Sequence, residues 1–162
     1  MARKVEREVF LEVVETIKRR FPYLQASLQE EHPHVETLLT IPAQEELPFE
    51  VRINLQNCDE LHLNAGKIWC EWFPCRKKEI TDQFVEAVCG LLSGEFRIVE
   101  YSRKGETFKA ELQRPEGEAW TIVARWSKMH LPFGRVTTQI LQKKNKNNHT
   151  LLGMSRCGAP EL

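Results

Sequence analysis

Two stretches of the chain repeat apolar residues at the spacing of an amphipathic helix. Over residues 3–21 the apolar positions recur every three or four residues, and most acidic positions fall on the opposite side. Pro22 marks the end of this helix, because proline has no amide hydrogen to donate and clashes with the preceding turn. The same spacing predicts a second helix over 79–93, with Gly94 as its C-terminal stop.

Strand patterns follow each predicted helix. The clearest is residues 49–55, where apolar and polar side chains alternate one by one. The pattern predicts further strands over 35–41, 61–64, 67–73, 96–101, 107–113 and 119–127. Short turns separate them, and Ala65-Gly66 is the bend expected between the third and fourth strands.

This order of elements predicts the fold class. Alternation with polar outer positions is typical of antiparallel strands with one covered face, and most connections are too short for parallel crossovers. We predict an α+β domain in helix-strands-helix-strands order. It has a single curved antiparallel sheet of about six or seven strands, with two helices packed on one face. The domain is predicted to span residues 1–142, and residues 143–162 to form a flexible basic tail.

Composition narrows the class of protein. The 162 residues carry 23 basic and 23 acidic side chains, so the net charge is zero, which disfavours a strongly basic nucleic-acid binder. No apolar run approaches the roughly 20 residues of a membrane span, and glutamates interrupt the N-terminal apolar positions of a signal peptide. Five cysteines are an odd number, unlike a paired disulfide framework. We therefore expect a cytoplasmic protein with reduced thiols and no membrane association.

The charges are nevertheless segregated along the chain. Residues 29–60 hold eight acidic side chains against Arg52 alone, whereas the predicted tail is basic. Glu45, Glu46 and Glu50 are candidates for an acidic recognition face, either for another protein or for self-association between tail and face. The alternative is a set of solvated loops without a partner.

Sequence motifs for cofactor chemistry are absent. The chain has no glycine-rich phosphate loop, no G-x-S-x-G nucleophile elbow, no H-E-x-x-H and no EF-hand loop. No cofactor is expected.

Two groups of residues have the side chains of a metal site. Cys58, His62, Cys70 and Cys75 offer the thiolate and imidazole ligands that tetrahedral zinc uses. Their spacing is unlike the paired ligands of zinc knuckles, and Cys70 falls at a core position of a predicted strand, so burial is favoured over metal binding. His32 and His34 form a second such group, for which no further ligands are identifiable.

Cys75 is also the candidate for a nucleophilic thiol. Arg76, Lys77 and Lys78 follow it, and cations next to a helix N-terminus lower the pKa of a thiol. No histidine can be placed beside it as a base, so a thiol-based enzyme or a small-ligand-binding domain remains an alternative function.

An aromatic pattern provides the favoured functional hypothesis. Trp69, Glu71 and Phe73 share one side of a predicted strand, out of phase with its apolar partners. Exposed aromatic residues flanked by charge are typical of protein-binding surfaces. The alternative is that the tail or a partner subunit covers this side.

These observations favour a non-enzymatic protein-interaction module, either chaperone- or adaptor-like or toxin-neutralising. A weak nucleic-acid binder is a second alternative. It would use the basic tail together with the cations at outward strand positions, which are Arg97, Arg103, Lys104, Lys109 and Arg125.

Overall fold

The computed structural model describes residues 2–130 and 133–144. This part contains two helices, α1 (Ala2–Arg20) and α2 (Lys78–Ser93). Its nine strands are β1 (Ser27–Gln29), β2 (Thr37–Ile41), β3 (Val51–Gln56), β4 (Glu60–Ala65), β5 (Ile68–Trp72), β6 (Arg97–Arg103), β7 (Glu106–Glu116), β8 (Ala119–Ser127) and β9 (Val136–Leu141). Residues 145–162 of the predicted tail, Cys157 among them, lie outside the described residues.

The first five strands form one antiparallel sheet in the order β1-β2-β3-β4-β5. α1 packs on β2 and β3, α2 packs on β4 and β5, and the helices contact each other. The predicted stop of α2 is confirmed, since Gly94 is left-handed with φ +82° and its amide donates to the carbonyl of Leu91. Both helices therefore cover the same face of this sheet.

The remaining strands form a second antiparallel sheet in the order β8-β7-β6-β9. The α+β class is confirmed, but two sheets replace the single curved sheet that the sequence predicted. β8 lies beside β5 without forming a ladder with it. Two of the strands were not predicted: β1 has only three residues, and β9 is exposed on both faces, so its sequence shows no alternation.

One hydrophobic core joins the helices to both sheets. Its largest fully buried side chains include Phe10, Phe84, Leu39, Ile53, Leu61, Leu63 and Leu91. The second sheet is tied to the first at the β4–β5 turn, where the amide of Lys67 donates to the Glu100 carboxylate at 2.6 Å. Phe96, which precedes β6, packs its ring against Gly90 of α2.

We expect Gly90→Ala to destabilise the protein. A Cβ at this position would lie 2.5–2.7 Å from three ring atoms of the buried Phe96. The cost of overpacking, about 1–3 kcal/mol, exceeds the roughly 1 kcal/mol by which alanine favours a helix over glycine. Urea denaturation measures the net loss, and adding Phe96→Leu should recover part of it. A single variant as stable as the wild type would contradict this packing.

Candidate functional site on the outer face of the five-stranded sheet

The face of the five-stranded sheet opposite the helices, here called the outer face, carries the polar residues of β3, β4 and β5. Because side chains alternate along a strand, the leucines and isoleucines of these strands enter the core and the residues between them point outward. The register aligns Asn54, His62 and Glu71 directly across the three strands. These three residues are called the polar row.

His62 is at the centre of the polar row and is fully buried, although it points away from the core. The Trp69 ring lies against it, with 5.1 Å between ring centroids. His62 Nε2 is 3.0 Å from Glu60 Oε2, and Gln56 Nε2 is 2.9 Å from His62 Nδ1. Gln56 Nε2 also lies 3.0 Å from His62 Nε2, so both ring nitrogens have hydrogen-bond partners.

Glu60 is oriented by the turn that precedes it. Asn57 Nδ2 donates to Glu60 Oε2 at 2.7 Å. This hydrogen bond, followed by the one from His62, holds the pKa of Glu60 below its usual range. The carboxylate beside His62 is therefore ionised at neutral pH.

Asn54 lies across from His62 on the same face and is only 7% exposed. Its Oδ1 atom is buried and has no hydrogen-bond partner among the described residues. An unsatisfied buried oxygen costs about 1–3 kcal/mol. The polar row thus contains one buried oxygen that accepts no hydrogen bond from the described residues.

The outer face also brings together the one set of potential metal ligands found in the described part of the chain. Single ligand atoms of Glu60, His62 and Glu71 all lie within 4.8 Å of one another. Of the four residues that the sequence offered as zinc ligands, only His62 belongs to this set. Its neighbours are carboxylates, where the sequence pattern had suggested thiolates.

Trp69, Glu71 and Phe73, here called the aromatic stripe, are exposed along one side of β5 and the residue after it. The exposed fraction is 43% for Trp69 and 57% for Phe73. Trp72, between them, points the other way, and its ring meets that of Phe84 in α2 edge-on at 5.4 Å. The strand therefore separates the tryptophan that belongs to the core from the one that faces solvent, and a role of the stripe in binding stays a prediction.

The three acidic candidates occupy two different places. Glu50 precedes β3 and forms an ion pair with Arg52 at 3.1 Å on the outer face. Glu45 and Glu46 lie in the β2–β3 connection beside Tyr23. Glu45 and Glu46 are therefore not part of one surface with the aromatic stripe, whereas Glu50 lies on the same face of the sheet as the stripe.

Glu46 contacts the end of the described chain. Lys143 is buried, with Nζ 2.8 Å from the Tyr23 hydroxyl and 3.5 Å from Glu46 Oε2. The amide of Lys144 donates to the Glu46 carbonyl at 2.9 Å. The first two basic residues of the predicted tail thus contact the acidic segment of their own chain.

The described cysteines do not converge. Cys58 is exposed in the β3–β4 turn, whereas Cys70, Cys75 and Cys89 are buried. Cys70 follows an outward residue on β5 and so enters the core, away from His62. Strand alternation therefore places Cys70 on the opposite side of the sheet from His62, and the candidate thiolate and imidazole ligands do not form one set.

The environment of Cys75 is opposite to the one its basic neighbours suggested. Burial raises the pKa of the thiol to about 11, the carboxylates of Glu6 and Asp59 add to this, and Arg76 opposes it only in part. Arg76 is itself paired with the buried Glu6. Local sequence showed the cations but not the burial or the acids from distant segments.

Three of the outward cations surround a single buried acid on the four-stranded sheet. Lys109 and Arg125 pair with Glu111 Oε1 at 3.2 and 3.0 Å. Arg97 Nε donates to Gln113 Oε1, and Gln113 in turn donates to Glu111. The Arg97 guanidinium also lies over the Trp120 ring, 3.8 Å from its centroid. Three of the five outward cations considered for nucleic-acid binding are thus linked into one network around Glu111.

Comparison of the chain with protein-family models, with curated proteins and with solved structures finds no match. Neither helix of the described chain has the length and apolar character needed to cross a membrane.

We expect the buried thiols to resist alkylation in the native protein. At pH 8 a thiol with a pKa of about 11 is ionised to roughly one part in a thousand, and burial also blocks the reagent. Iodoacetamide labelling with peptide mapping should modify Cys58 first, and Cys70, Cys75 and Cys89 only after unfolding. Native labelling of Cys75 as fast as that of Cys58 would contradict the buried environment.

We expect Glu111→Gln to reduce stability in a pH-dependent way. Burial raises the pKa of Glu111, but hydrogen bonds from Gln113, Lys109 and Tyr101 outweigh it and hold the pKa below its usual range. Such an acid stabilises the fold above its unfolded-state pKa of about 4.3, and the effect is lost as pH falls through the lower folded-state value. Urea denaturation should show a loss of about 2 kcal/mol at pH 7 that shrinks below pH 4. The exposed Glu118→Gln is the control, and a loss independent of pH would refute the charge network.

Proposed function

We propose that this protein is a non-enzymatic protein-interaction module that binds its partner through the aromatic stripe. The observation that carries the proposal is the exposure of Trp69 and Phe73 on the same side of one strand, with the charged Glu71 between them. Tryptophan is among the residues that contribute most to protein–protein affinity when a partner covers them. Chaperone- or adaptor-like binding and toxin neutralisation both fit such a surface.

The contact between Trp69 and His62 supports a binding role. Its ring lies on the imidazole of His62, which is itself fixed by Glu60 and Gln56. An aromatic side chain held in place before binding loses little conformational freedom when a partner covers it. Trp69 therefore has the character of a preorganised anchor.

A groove beside the stripe gives a partner room to extend. It lies between β5 and β8, has a volume of about 500 Å³, and is lined by Trp69, Glu71, Arg125 and Trp126 among others. The free edges of two strands face this groove. A segment that covers Trp69 would continue along this groove.

The carboxylates near Trp69 indicate the chemistry of the partner. Glu71 lies two residues after Trp69 on the same side of the strand, and Glu60 contacts the His62 ring on which Trp69 lies. The cations of this face are Lys67, two residues before Trp69, and Arg52, whose charge is compensated by Glu50. Lysine and arginine side chains are attracted both to carboxylates and to the face of an indole ring. We propose a partner segment of another protein that carries basic residues next to an apolar one. The free cysteines suit a reducing compartment such as the cytoplasm.

We expect Trp69→Ala and Phe73→Ala to weaken partner binding. Peptides selected on the full chain from a random display library should be enriched in basic and apolar residues. Fluorescence anisotropy then gives their Kd, which should rise about thirtyfold for Trp69→Ala, equivalent to roughly 2 kcal/mol. Glu71→Lys should weaken binding as well, because it places a cation against basic side chains.

Ile140→Ala is the matched control, since Ile140 is exposed to a similar degree as Phe73 but lies on β9. It should leave the Kd unchanged. Selected peptides that are acidic, or that bind Trp69→Ala and the wild type equally, would refute the proposed surface. Self-association that disappears in Trp69→Ala, measured by sedimentation, would identify a second copy of the chain as the partner.

A further inference from the structure

Potential metal ligands of two chemical types lie close together on the outer face, next to Trp69. His62 supplies an imidazole nitrogen, Glu60 and Glu71 supply carboxylates, and these atoms lie within 4.8 Å of one another. They come from two adjacent strands, so the β4–β5 register holds them together. The set is not merely acidic, because its central member is a fully buried histidine.

The spacing of one pair of these atoms matches what an ion requires. Two ligands at about 2.1 Å from a zinc ion are roughly 3.0 Å apart at a right angle and 3.4 Å apart at the tetrahedral angle. His62 Nε2 and Glu60 Oε2 are 3.0 Å apart. The third ligand, Glu71, is exposed on β5, so a change of rotamer can bring its carboxylate to the same ion.

Asn54 provides an independent observation that points to a ligand. Its Oδ1 is buried without a hydrogen-bond partner among the described residues, and the residue lies directly across β3–β4 from His62. A cation would satisfy this oxygen, since amide oxygens ligate divalent metals. The polar row and Glu60 together then offer one nitrogen and three oxygens.

We propose that Asn54, Glu60, His62 and Glu71 form a binding site for a divalent first-row transition-metal ion such as Zn²⁺. One imidazole with three oxygens suits zinc or manganese better than calcium or magnesium, which bind oxygen almost alone. The ion takes the place of the hydrogen bond between His62 Nε2 and Glu60 Oε2. The site does not require the proposed protein partner, but a bound ion would neutralise the Glu60 and Glu71 carboxylates to which the partner's basic residues are proposed to bind.

The test is metal binding by the full chain. Isothermal titration with Zn²⁺ should show one site, and Co²⁺ should give visible d–d bands without the near-ultraviolet charge-transfer band of a thiolate ligand. Glu71→Gln and Glu60→Gln should each lower the affinity at least tenfold. Glu71 is exposed, so its variant keeps the test valid even if His62→Gln fails to fold.

Two controls separate this site from others. Glu50→Gln removes a carboxylate elsewhere on the outer face, and Cys58→Ser removes the exposed thiol; both should bind as the wild type does. Asn54→Leu should lower the affinity without lowering the stability of the metal-free protein, because it deletes an oxygen that has no partner. No binding, a thiolate band with Co²⁺, or an affinity of Glu60→Gln and Glu71→Gln equal to that of the wild type would overturn the proposal. An affinity of Asn54→Leu equal to that of the wild type would remove Asn54 from the ligand set.

Discussion

The two-residue turn between β4 and β5 fixes the register on which the rest of the outer face depends. Gly66 has φ +55°, a backbone conformation that residues other than glycine rarely adopt. The amide of Lys67 donates to Glu100 of the second sheet. With this turn in place His62 must face Glu71, and Leu63 must face Cys70 on the side of the core. One turn therefore positions both the core contacts and the polar row.

Much of this arrangement was within reach of the sequence. Alternation over β3, β4 and β5 identified the inward and outward residues. The expected bend at Ala65-Gly66 implies that His62 pairs with Trp69, whereas the observed turn at Gly66-Lys67 moves the pairing by two residues, to Glu71. The candidate zinc ligands were grouped by residue type along the chain, which placed His62 with Cys58, Cys70 and Cys75, although burial of the cysteines was favoured. Counting positions across the observed turn places the Glu71 carboxylate opposite the histidine.

Other features depend on contacts between distant segments, which local pattern does not record. The raised pKa of Cys75 comes first from burial and then from the charge of Glu6 in α1, some seventy positions away in the sequence. The division into two sheets likewise depends on how β8 lies along β5, and alternation is the same in a paired strand and an edge strand. β9 shows the limit most clearly, since a strand exposed on both faces carries no pattern at all.

The strict division of β4 into two faces has a consequence for how this chain can change. Replacing an outward residue alters the chemistry of the surface without touching a leucine of the interior. Inserting a single residue between Glu60 and Ala65 would instead exchange the roles of all the following positions, because the strand repeats every two residues. The sheet therefore tolerates new side chains on its outer face. A shift of one position in β4 would instead turn the His62 imidazole and the Asn64 amide toward the core, and the leucines toward water.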